Sequence, residues 1–358
     1  MDRAEAVALL GRAPAVHVVG TTAEGAPLFR TVNAVVLGGH VAFHGAPVGE
    51  KTGAVGRPVV VTAEETIASI PSYFVDPERA CPATTYYRSV HVHGVLEAVD
   101  DAAEKAHVMA ALMDKYQPEG GHVPIDAEHP LYRKALAGLL VARVSLERLD
   151  GKSKLGQNRT PPELVRVLEQ LWQRGAPGDA VAIESVLRAN PATPVPPFLR
   201  GPHDLRLVCA LGAEDAEAAA DLIEGQYWNE GVSRRDLIRG CLASQAWVGV
   251  REGTQLVAMA RALSDGVRSA WIGDVAVTPR WRGRGLATAL MKLVLDHPAL
   301  RHAQRVWLAT RDAQKLYEKL GFVDVQEASA YPRTDMVLKR SASQESPPSR
   351  SPCFRAST

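Results

Sequence analysis

The chain is poor in cysteine, in charge of one sign and in long apolar runs, and each shortage removes a class of protein. Four cysteines in 358 residues, Cys81, Cys209, Cys241 and Cys353, fall at spacings that match neither a disulfide framework nor a zinc site, as in a reducing compartment. With 41 basic against 40 acidic residues the net charge is +1, and no basic face points to nucleic acid. No segment approaches the roughly 20 apolar residues of a membrane helix. Met1-Asp2-Arg3 runs into a short amphipathic helix with no cleavage pattern, so no secretory signal is expected and the expected location is cytoplasmic. His91 and His93 share a strand face at spacing two, but no third ligand accompanies them and no metal site is expected. Hydrophobic residues still make up 46% of the chain, enough for buried cores, and 358 residues predict two or three domains.

What is present starts with a turn. Val275-Ala276-Val277-Thr278-Pro279-Arg280-Trp281-Arg282-Gly283-Arg284-Gly285-Leu286-Ala287 reads as a β-branched strand stopped by proline, then an Arg/Gly turn. Apolar residues at helical spacing follow, from Leu286 to Leu295. Gly283 and Gly285 permit positive φ or close backbone approach. The helix N-terminus offers bare N–H groups and a positive dipole end, flanked by Arg280, Arg282 and Arg284, which suits a phosphate. The turn carries no Gly-Lys-Ser/Thr for a magnesium-linked triphosphate, and Gly283-Arg284-Gly285 lacks the third glycine of the dinucleotide fingerprint.

A second segment lies downstream, Leu308-Ala309-Thr310-Arg311-Asp312-Ala313-Gln314-Lys315-Leu316-Tyr317-Glu318-Lys319-Leu320-Gly321-Phe322. It predicts a helix capped by Thr310 or Asp312, with Ala313, Leu316, Tyr317 and Leu320 on one face, ended by Gly321 before a strand that starts at Phe322. Arg280-x-x-Gly283-x-Gly285 followed by Leu316-Tyr317-x-x-x-Gly321-Phe322 resembles the GNAT acetyltransferases in order and spacing. The resemblance implies acetyl-CoA as cosubstrate. Its pyrophosphate would sit on Arg280, Arg282, Gly283, Arg284, Gly285, Leu286 and Ala287, and its thioester along Val275, Ala276 and Val277. Many relatives have Asn where this chain has Thr310, a departure that touches the pantetheine arm. The upstream order agrees with that family: a strand at 206–210, helices at 214–226 and 234–242, and strands at 246–251, 255–263 and 269–277.

Acyl transfer to an amine needs a neutral nucleophile, a donor for the developing oxyanion and a proton for the departing thiolate. The resemblance implies a splayed strand whose N–H groups, at Val275 and Val277, face the acetyl carbonyl. A phenol of pKa about 10 can protonate a thiolate of pKa about 8.5, so Tyr317 is the expected general acid. Asp274, one residue from the splay, is the expected base, acting through water; a carboxylate there can equally orient a cationic substrate or pair with an arginine. Tyr227 and Trp228 form either a plug between helices or part of the acceptor pocket. The acceptor itself, a small-molecule amine, is not specified, because its pocket comes from the least constrained loops.

The first half predicts a short helix at 3–12 and strands at 15–21, 27–36, 40–45, 59–64 and 86–99. Helices at 102–116 and 132–137, a strand at 139–149 and a helix at 161–173 follow. Glu24-Gly25 and Gly38-Gly39 mark the turns of a meander suited to a small barrel. Phe43-His44-Gly45-Ala46-Pro47-Val48-Gly49-Glu50-Lys51, Tyr87-Arg88-Ser89-Val90-His91-Val92-His93-Gly94 and Glu147 through Arg159 resemble the FMN-binding split barrels related to pyridoxamine-phosphate oxidase, of the nitroimidazole-resistance and negative-regulator types. That likeness implies a homodimer with FMN at the subunit interface. Arg30 and Lys51 would meet the phosphate, and Thr31, Asn33, His44, Thr52 and Ser89 the ring and ribityl chain.

The expected organisation is therefore a mainly-β split barrel with flanking helices at 1–190, a Pro-rich linker at 191–204, an α/β GNAT fold at 205–340 and a disordered Ser/Pro-rich tail at 341–358. The GNAT part should hold a mixed, mostly antiparallel sheet with helices on both faces. The expected function is acetyl-CoA-dependent N-acetylation of a primary amine. An FMN-dependent oxidoreductase, or a flavin-binding regulator, is the alternative.

Overall fold

The computed structural model describes residues 1–325, so the expected tail lies outside the described residues; of the strand expected from Phe322, residues 322–325 are described and form no strand, and the rest lies outside. Two compact units are present. Among the described residues, one comprises residues 1–66 and 85–154 and the other residues 67–84 and 155–325.

The first unit opens with helix α1 (Arg3–Arg12), whose Asp2 and Glu5 form a reciprocal capping box. Strands β1 (Val16–Thr21), β2 (Pro27–Val32), β3 (Ala34–Leu37) and β4 (His40–Gly45) follow, then the short helix α2 (Glu50–Gly53) and strands β5 (Pro58–Ile70), β6 (Thr84–Val95) and β7 (Glu97–Val99). Helices α3 (Ala102–Tyr116) and α4 (Pro130–Ala137) and strands β8 (Leu140–Ser145) and β9 (Arg148–Lys154) complete it. One sheet has the order β2-β1-β5-β6-β9 and the other β3-β4-β8-β7.

Three strands expected as single runs are each divided between the sheets. The run expected at 27–36 breaks at Asn33, the one at 86–99 at Leu96, and the one at 139–149 at Leu146–Glu147. Each break moves the chain from one sheet to the other, which is how an orthogonal barrel turns its corners. Backbone bonds fix two of them: Leu96 exchanges bonds with the 56–57 turn, and Leu146 N–H donates to Gly39 O at 2.9 Å. The alternation of β4 divides its side chains accordingly. Val41 and Phe43 enter the core between the sheets with Leu9, Val18 and Val61, whereas Ala42 meets Val108 and Leu112 of α3 on the other side. The split barrel with flanking helices is thus present.

The second unit includes α5 (Pro161–Arg174) and α6 (Asp179–Ala189). Both belong to the stretch that the sequence pattern assigned to the barrel, and the boundary falls at Lys154/Leu155 rather than at residue 190. Buried contacts account for this. Trp172 of α5 donates to Asp296 at 2.6 Å and stacks on Phe198 at 4.8 Å; Glu184 of α6 accepts from Arg206 and from Cys209 N, both at 2.8 Å. The Pro-rich 191–204 stretch is a strap within this unit, not a spacer: Leu199 is fully buried and Gly201 bonds Leu205 O. Apolar anchors set in proline give no periodicity, so the pattern hid them.

The remaining elements are β10 (Leu207–Val208), α7 (Ala216–Ile223), α8 (Arg234–Leu242), β11 (Ala246–Glu252), β12 (Gln255–Ser264), β13 (Ser269–Val277), α9 (Leu286–Asp296), β14 (Arg305–Trp307) and α10 (Gln314–Glu318). The sheet order is β10-β11-β12-β13-β14, antiparallel except for the parallel pair β13/β14. Ala246 to Val250 are buried without alternation, so both faces of β11 are covered. Ala219, Ile223, Leu237 and Cys241 of α7 and α8 share one core with Trp247 and Met259, and α9 packs across β11–β13. This is the mixed, mostly antiparallel α/β fold expected. Among the described residues no helix is long and apolar enough to cross a membrane.

His297, at the end of α9, is buried beside Trp172 and accepts from Ala299 N at 3.1 Å. Burial, and then the Arg301 charge, pushes its pKa down to about 4. Above the ordinary histidine value both folded and unfolded chains hold it neutral; below it the unfolded chain takes up a proton that the fold refuses. Stability of this unit should therefore fall by about 3 kcal/mol between about pH 6.5 and pH 4, and His297→Gln should flatten that limb in denaturant titrations across the range.

Candidate functional site

β13 and β14 begin as a parallel pair, Ser269 opposite Arg305, Ala270 opposite Val306 and Trp271 opposite Trp307, and pair no further. Beyond Trp271 the strands diverge. The gap is a cavity of about 670 Å³ lined by Ile272 to Val277 on one side and Leu308 to Thr310, Leu316 and Tyr317 on the other. On its other edge β13 stays bonded to β12, and there the register slips by one: Met259 faces Ala276 but Arg261 faces Gly273, so Asp274 and Val275 oppose the single residue Ala260. This is a β-bulge, and Asp274 adopts φ +49°, a left-handed conformation that aspartate tolerates better than most residues. After the bulge Thr278 N–H donates to Val257 O at 2.9 Å. Alternation then turns the Val277 N–H toward the edge that β14 has left.

The bulge aims Asp274 into a nest of donors. Arg261 Nε reaches Oδ2 at 2.5 Å, while Trp228 Nε1 and Asn229 Nδ2 reach Oδ1 at 2.8 and 3.1 Å. The carboxylate is buried. Of the three roles open to it, pairing with an arginine is the one the geometry fits. As a base it is poorly placed, because both oxygens already accept charged or buried donors whose bonds protonation would break. Trp228, and Tyr227 beside it, are held in a turn at 227–229 that lines the cavity. Tyr227 Oη accepts from Arg311 N at 3.0 Å, and the Arg311 guanidinium lies 3.9 Å from the ring centroid.

At the Arg/Gly turn Gly283 and Gly285 have φ of +73° and +84°, and Gly285 caps α9. A Cβ at Gly283 would meet nothing within 4 Å, so glycine is required there by its backbone conformation rather than by crowding inside the protein. The first N–H bonded within α9 is that of Ala289, to Gly285 O at 3.0 Å; those of Leu286, Ala287 and Thr288 precede it and point out of the helix end. The three arginines differ. Arg282 lines the cavity and donates to Val277 O at 3.2 Å, Arg284 lies over the Trp281 ring at 5.1 Å, and Arg280 is ion-paired with Glu252, which also accepts from Trp281 Nε1.

Tyr317 stands on α10 across the cavity from β13. Thr310 Oγ1 accepts from Ala313 N at 3.1 Å in the turn that leads into α10, but the N-cap itself is Ala313, without a side-chain bond, so neither Thr310 nor Asp312 is the cap expected. Gly321, at φ +89°, closes the helix with paired bonds from Gly321 N to Glu318 O and from Phe322 N to Tyr317 O, a Schellman motif. Burial, and then the neighbouring Tyr227 and Asp312, raises the Tyr317 pKa, so the phenol keeps its proton.

Of the residues singled out in the sequence, Tyr227, Trp228, Asp274, Val275, Ala276, Val277, Arg282, Ala287 and Tyr317 line one cavity. Arg280, Gly283, Arg284, Gly285 and Leu286 lie on the turn and helix end outside its lining. Sequence reasoning passed over Arg261 and Trp271, and named Asp312 only as a helix cap. Arg261 had a signal: a lone arginine inside the apolar run Leu256 to Leu263 demands a buried partner. The others had none.

In the first unit, Arg30 of β2 pairs with Glu50 of α2, and Thr31 Oγ1 lies 3.0 Å from His17 Nδ1. The Lys51 ammonium fills the space a Cβ at Gly45 would take. His44 is half-buried, its Nδ1 is buried without a partner, and its pKa is lowered by burial and by the Lys51 charge. Ser89 is buried on β6, while Asn33 and Thr52 are exposed. His93 pairs with Asp150 at 3.3 Å, and no cluster of metal-ligating side chains exists among the described residues.

Residues 2–153 match the family model described as pyridoxamine 5'-phosphate oxidase, and residues 216–322 match that of the acetyltransferase (GNAT) family. Among solved structures, an FAD- and heme-binding protein from Mycobacterium smegmatis is 19% identical, over 46% of this chain and 77% of that one, with a TM-score of 0.38. A protein described for 5-nitroimidazole antibiotic resistance in Bacteroides thetaiotaomicron is 19% identical over 42% and 82%, TM-score 0.32. A protein assigned to the GNAT family from Xanthomonas campestris is 29% identical over 38% and 96%, TM-score 0.32. At such TM-scores the assignment rests on the family models and the motifs.

The Arg261–Asp274 pair is testable as structure. Asp274→Asn keeps the shape but strands a largely buried guanidinium, and should lower the unfolding free energy of the second unit by about 3 kcal/mol in denaturant titrations; a free carboxylate would leave it unchanged.

Proposed function

Because this chain joins a pyridoxamine 5'-phosphate oxidase-family domain to a GNAT-family domain, we propose that its second unit transfers an acetyl group from acetyl-CoA to a primary amine by direct attack. The observation that carries this reading is the divergence of β13 from β14 into a cavity that has Tyr317 on one wall and the α9 N-terminus at its end. The pyrophosphate meets the first N–H groups of α9, with Arg282 and Arg284 beside it. Arg280 instead braces the turn through Glu252. The thioester lies along 275–277, where the Val277 N–H donates to the carbonyl oxygen as negative charge develops there. The neutral amine nitrogen forms the new bond to carbon, the carbon–sulfur bond breaks, Tyr317 gives its proton to the leaving sulfur, and the proton that the nitrogen sheds returns the Tyr317 phenolate to phenol. Asp274 serves as a positioning residue: it holds Arg261, Trp228 and Asn229, and with them the bulge.

For the first unit, the partnerless His44 Nδ1 beside Lys51 favours a bound flavin. Lys51, and Arg30 once released from Glu50, would hold the FMN phosphate, with Thr31, Asn33, His44, Thr52 and Ser89 along the rest, in a homodimer. When bound, the flavin would supply two-electron transfer to a small molecule.

Tyr317→Phe should lower turnover at least about tenfold with little change in acetyl-CoA affinity, whereas Gly283→Val should weaken acetyl-CoA binding measured by calorimetry. Equal loss of binding in both variants removes Tyr317 from the role of acid. The purified chain should take up FMN with a shift in its visible spectrum, and Lys51→Ala should weaken that uptake; a spectrum identical to free FMN excludes the flavin reading.

A further inference from the structure

We propose that the amine accepted at this cavity carries an aromatic ring and a single positive charge. The inference rests on the acetyltransferase reading above and narrows its acceptor.

Four rings line the cavity, those of Tyr227, Trp228, Trp271 and Tyr317. Two of them have their polar atoms engaged in the protein. The Trp228 N–H is committed to Asp274, and the Tyr227 oxygen accepts from the Arg311 backbone. What Trp228 offers a ligand is therefore ring surface, and what Tyr227 offers is the ring face not covered by Arg311 together with one O–H donor. Tyr227 and Trp228 meet edge to face at 4.8 Å, an arrangement a third ring can extend. Trp271 stands where β13 and β14 part, on the same side of the strand as Gly273, whose missing side chain leaves room beside the indole. Trp271 is 49% exposed and Trp228 40%, an unusual outlay of indole surface for the wall of a polar cleft.

The charges limit the ligand further. Asp274 is cancelled by Arg261, and Arg282 is turned to the Val277 carbonyl. Asp312 lines the cavity and forms no ion pair among the described residues. One carboxylate balances one ammonium. A second positive charge on the ligand would face Arg261, Arg282 and the Arg311 guanidinium over Tyr227. In the reaction the ammonium gives a proton to the Asp312 carboxylate, directly or through one water. The freed lone pair attacks the thioester carbon, the carbon–sulfur bond breaks, the sulfur leaves with the Tyr317 proton, and the excess proton left on the amide nitrogen passes to the Tyr317 phenolate, which restores the phenol. The Tyr317 pKa is raised mainly by burial, then by Tyr227, with the Asp312 charge adding to both.

The test measures thiol release from acetyl-CoA by the full chain with 2-phenylethylamine, hexylamine and spermidine, alongside acetyl-CoA binding by calorimetry. The expected kcat/KM for 2-phenylethylamine is at least about tenfold above the other two. Trp271→Ala should cut that preference about tenfold without changing acetyl-CoA affinity, and Asp312→Asn should shift the rise of kcat/KM with pH toward the amine's own pKa. Acetyl-CoA binding with no transfer to the aromatic amine, or with spermidine or hexylamine used as well, overturns the acceptor assignment alone. Absence of acetyl-CoA binding overturns the acetyltransferase reading beneath it.

Discussion

Arg261 and Asp274 meet at the point where the sheet of the second unit stops being a ladder and becomes an open edge. A strand bonded on both sides has no N–H to spare for a substrate, and a strand free on one side is prone to pair with something else. The bulge at Asp274–Val275 resolves this. It inserts one residue opposite Ala260, and the Asp274 side chain, turned inward by a left-handed backbone, locks the insertion through Arg261. Such a conformation is costly and persists only where surrounding bonds over-determine it. Here three donors from two segments do so, one from β12 and two from the turn at 227–229.

The same bonds shape the cavity wall. Because Trp228 and Asn229 spend their N–H groups on Asp274, the turn that carries them is fastened to β13, and Tyr227 is carried along with it. Tyr317 is held by the turn in which Thr310 accepts from Ala313 N and by the Schellman bonds at the end of its helix. The Arg311 N–H to Tyr227 bond ties the two walls together across one end of the cavity between them. A catalytic cleft needs that arrangement, since a side chain displaced by an ångström loses much of its effect.

Much of this was legible in the sequence where local rules suffice. The proline stop, the two positive-φ glycines, the Gly321 helix stop and the spacing from Arg280 to Phe322 are read from neighbouring residues, and the structure has each. Less legible was the fate of long apolar runs. The alternation through 27–36, 86–99 and 139–149 is continuous, yet each run changes sheets partway. Period-two alternation records that a strand has two faces and says nothing of which sheet it joins. For the same reason α5 read as the end of the barrel, and α6, which the pattern did not single out, was included with it: an amphipathic helix announces a buried face but not what buries it.

The sequence by itself determined that two folds are joined in one chain, where the Arg/Gly turn before α9 lies, and that Tyr317 sits on a helix ended by glycine. These follow from short-range backbone chemistry, which acts within a few residues. Only the tertiary structure decided that Asp274 is paired rather than free, that Arg280 is spent on Glu252, that the Pro-rich strap is packed, and that Trp271 and Asp312 share a cavity with Tyr227. Each of those depends on which distant side chain occupies the same few cubic ångströms, and burial makes that choice only when the whole unit closes.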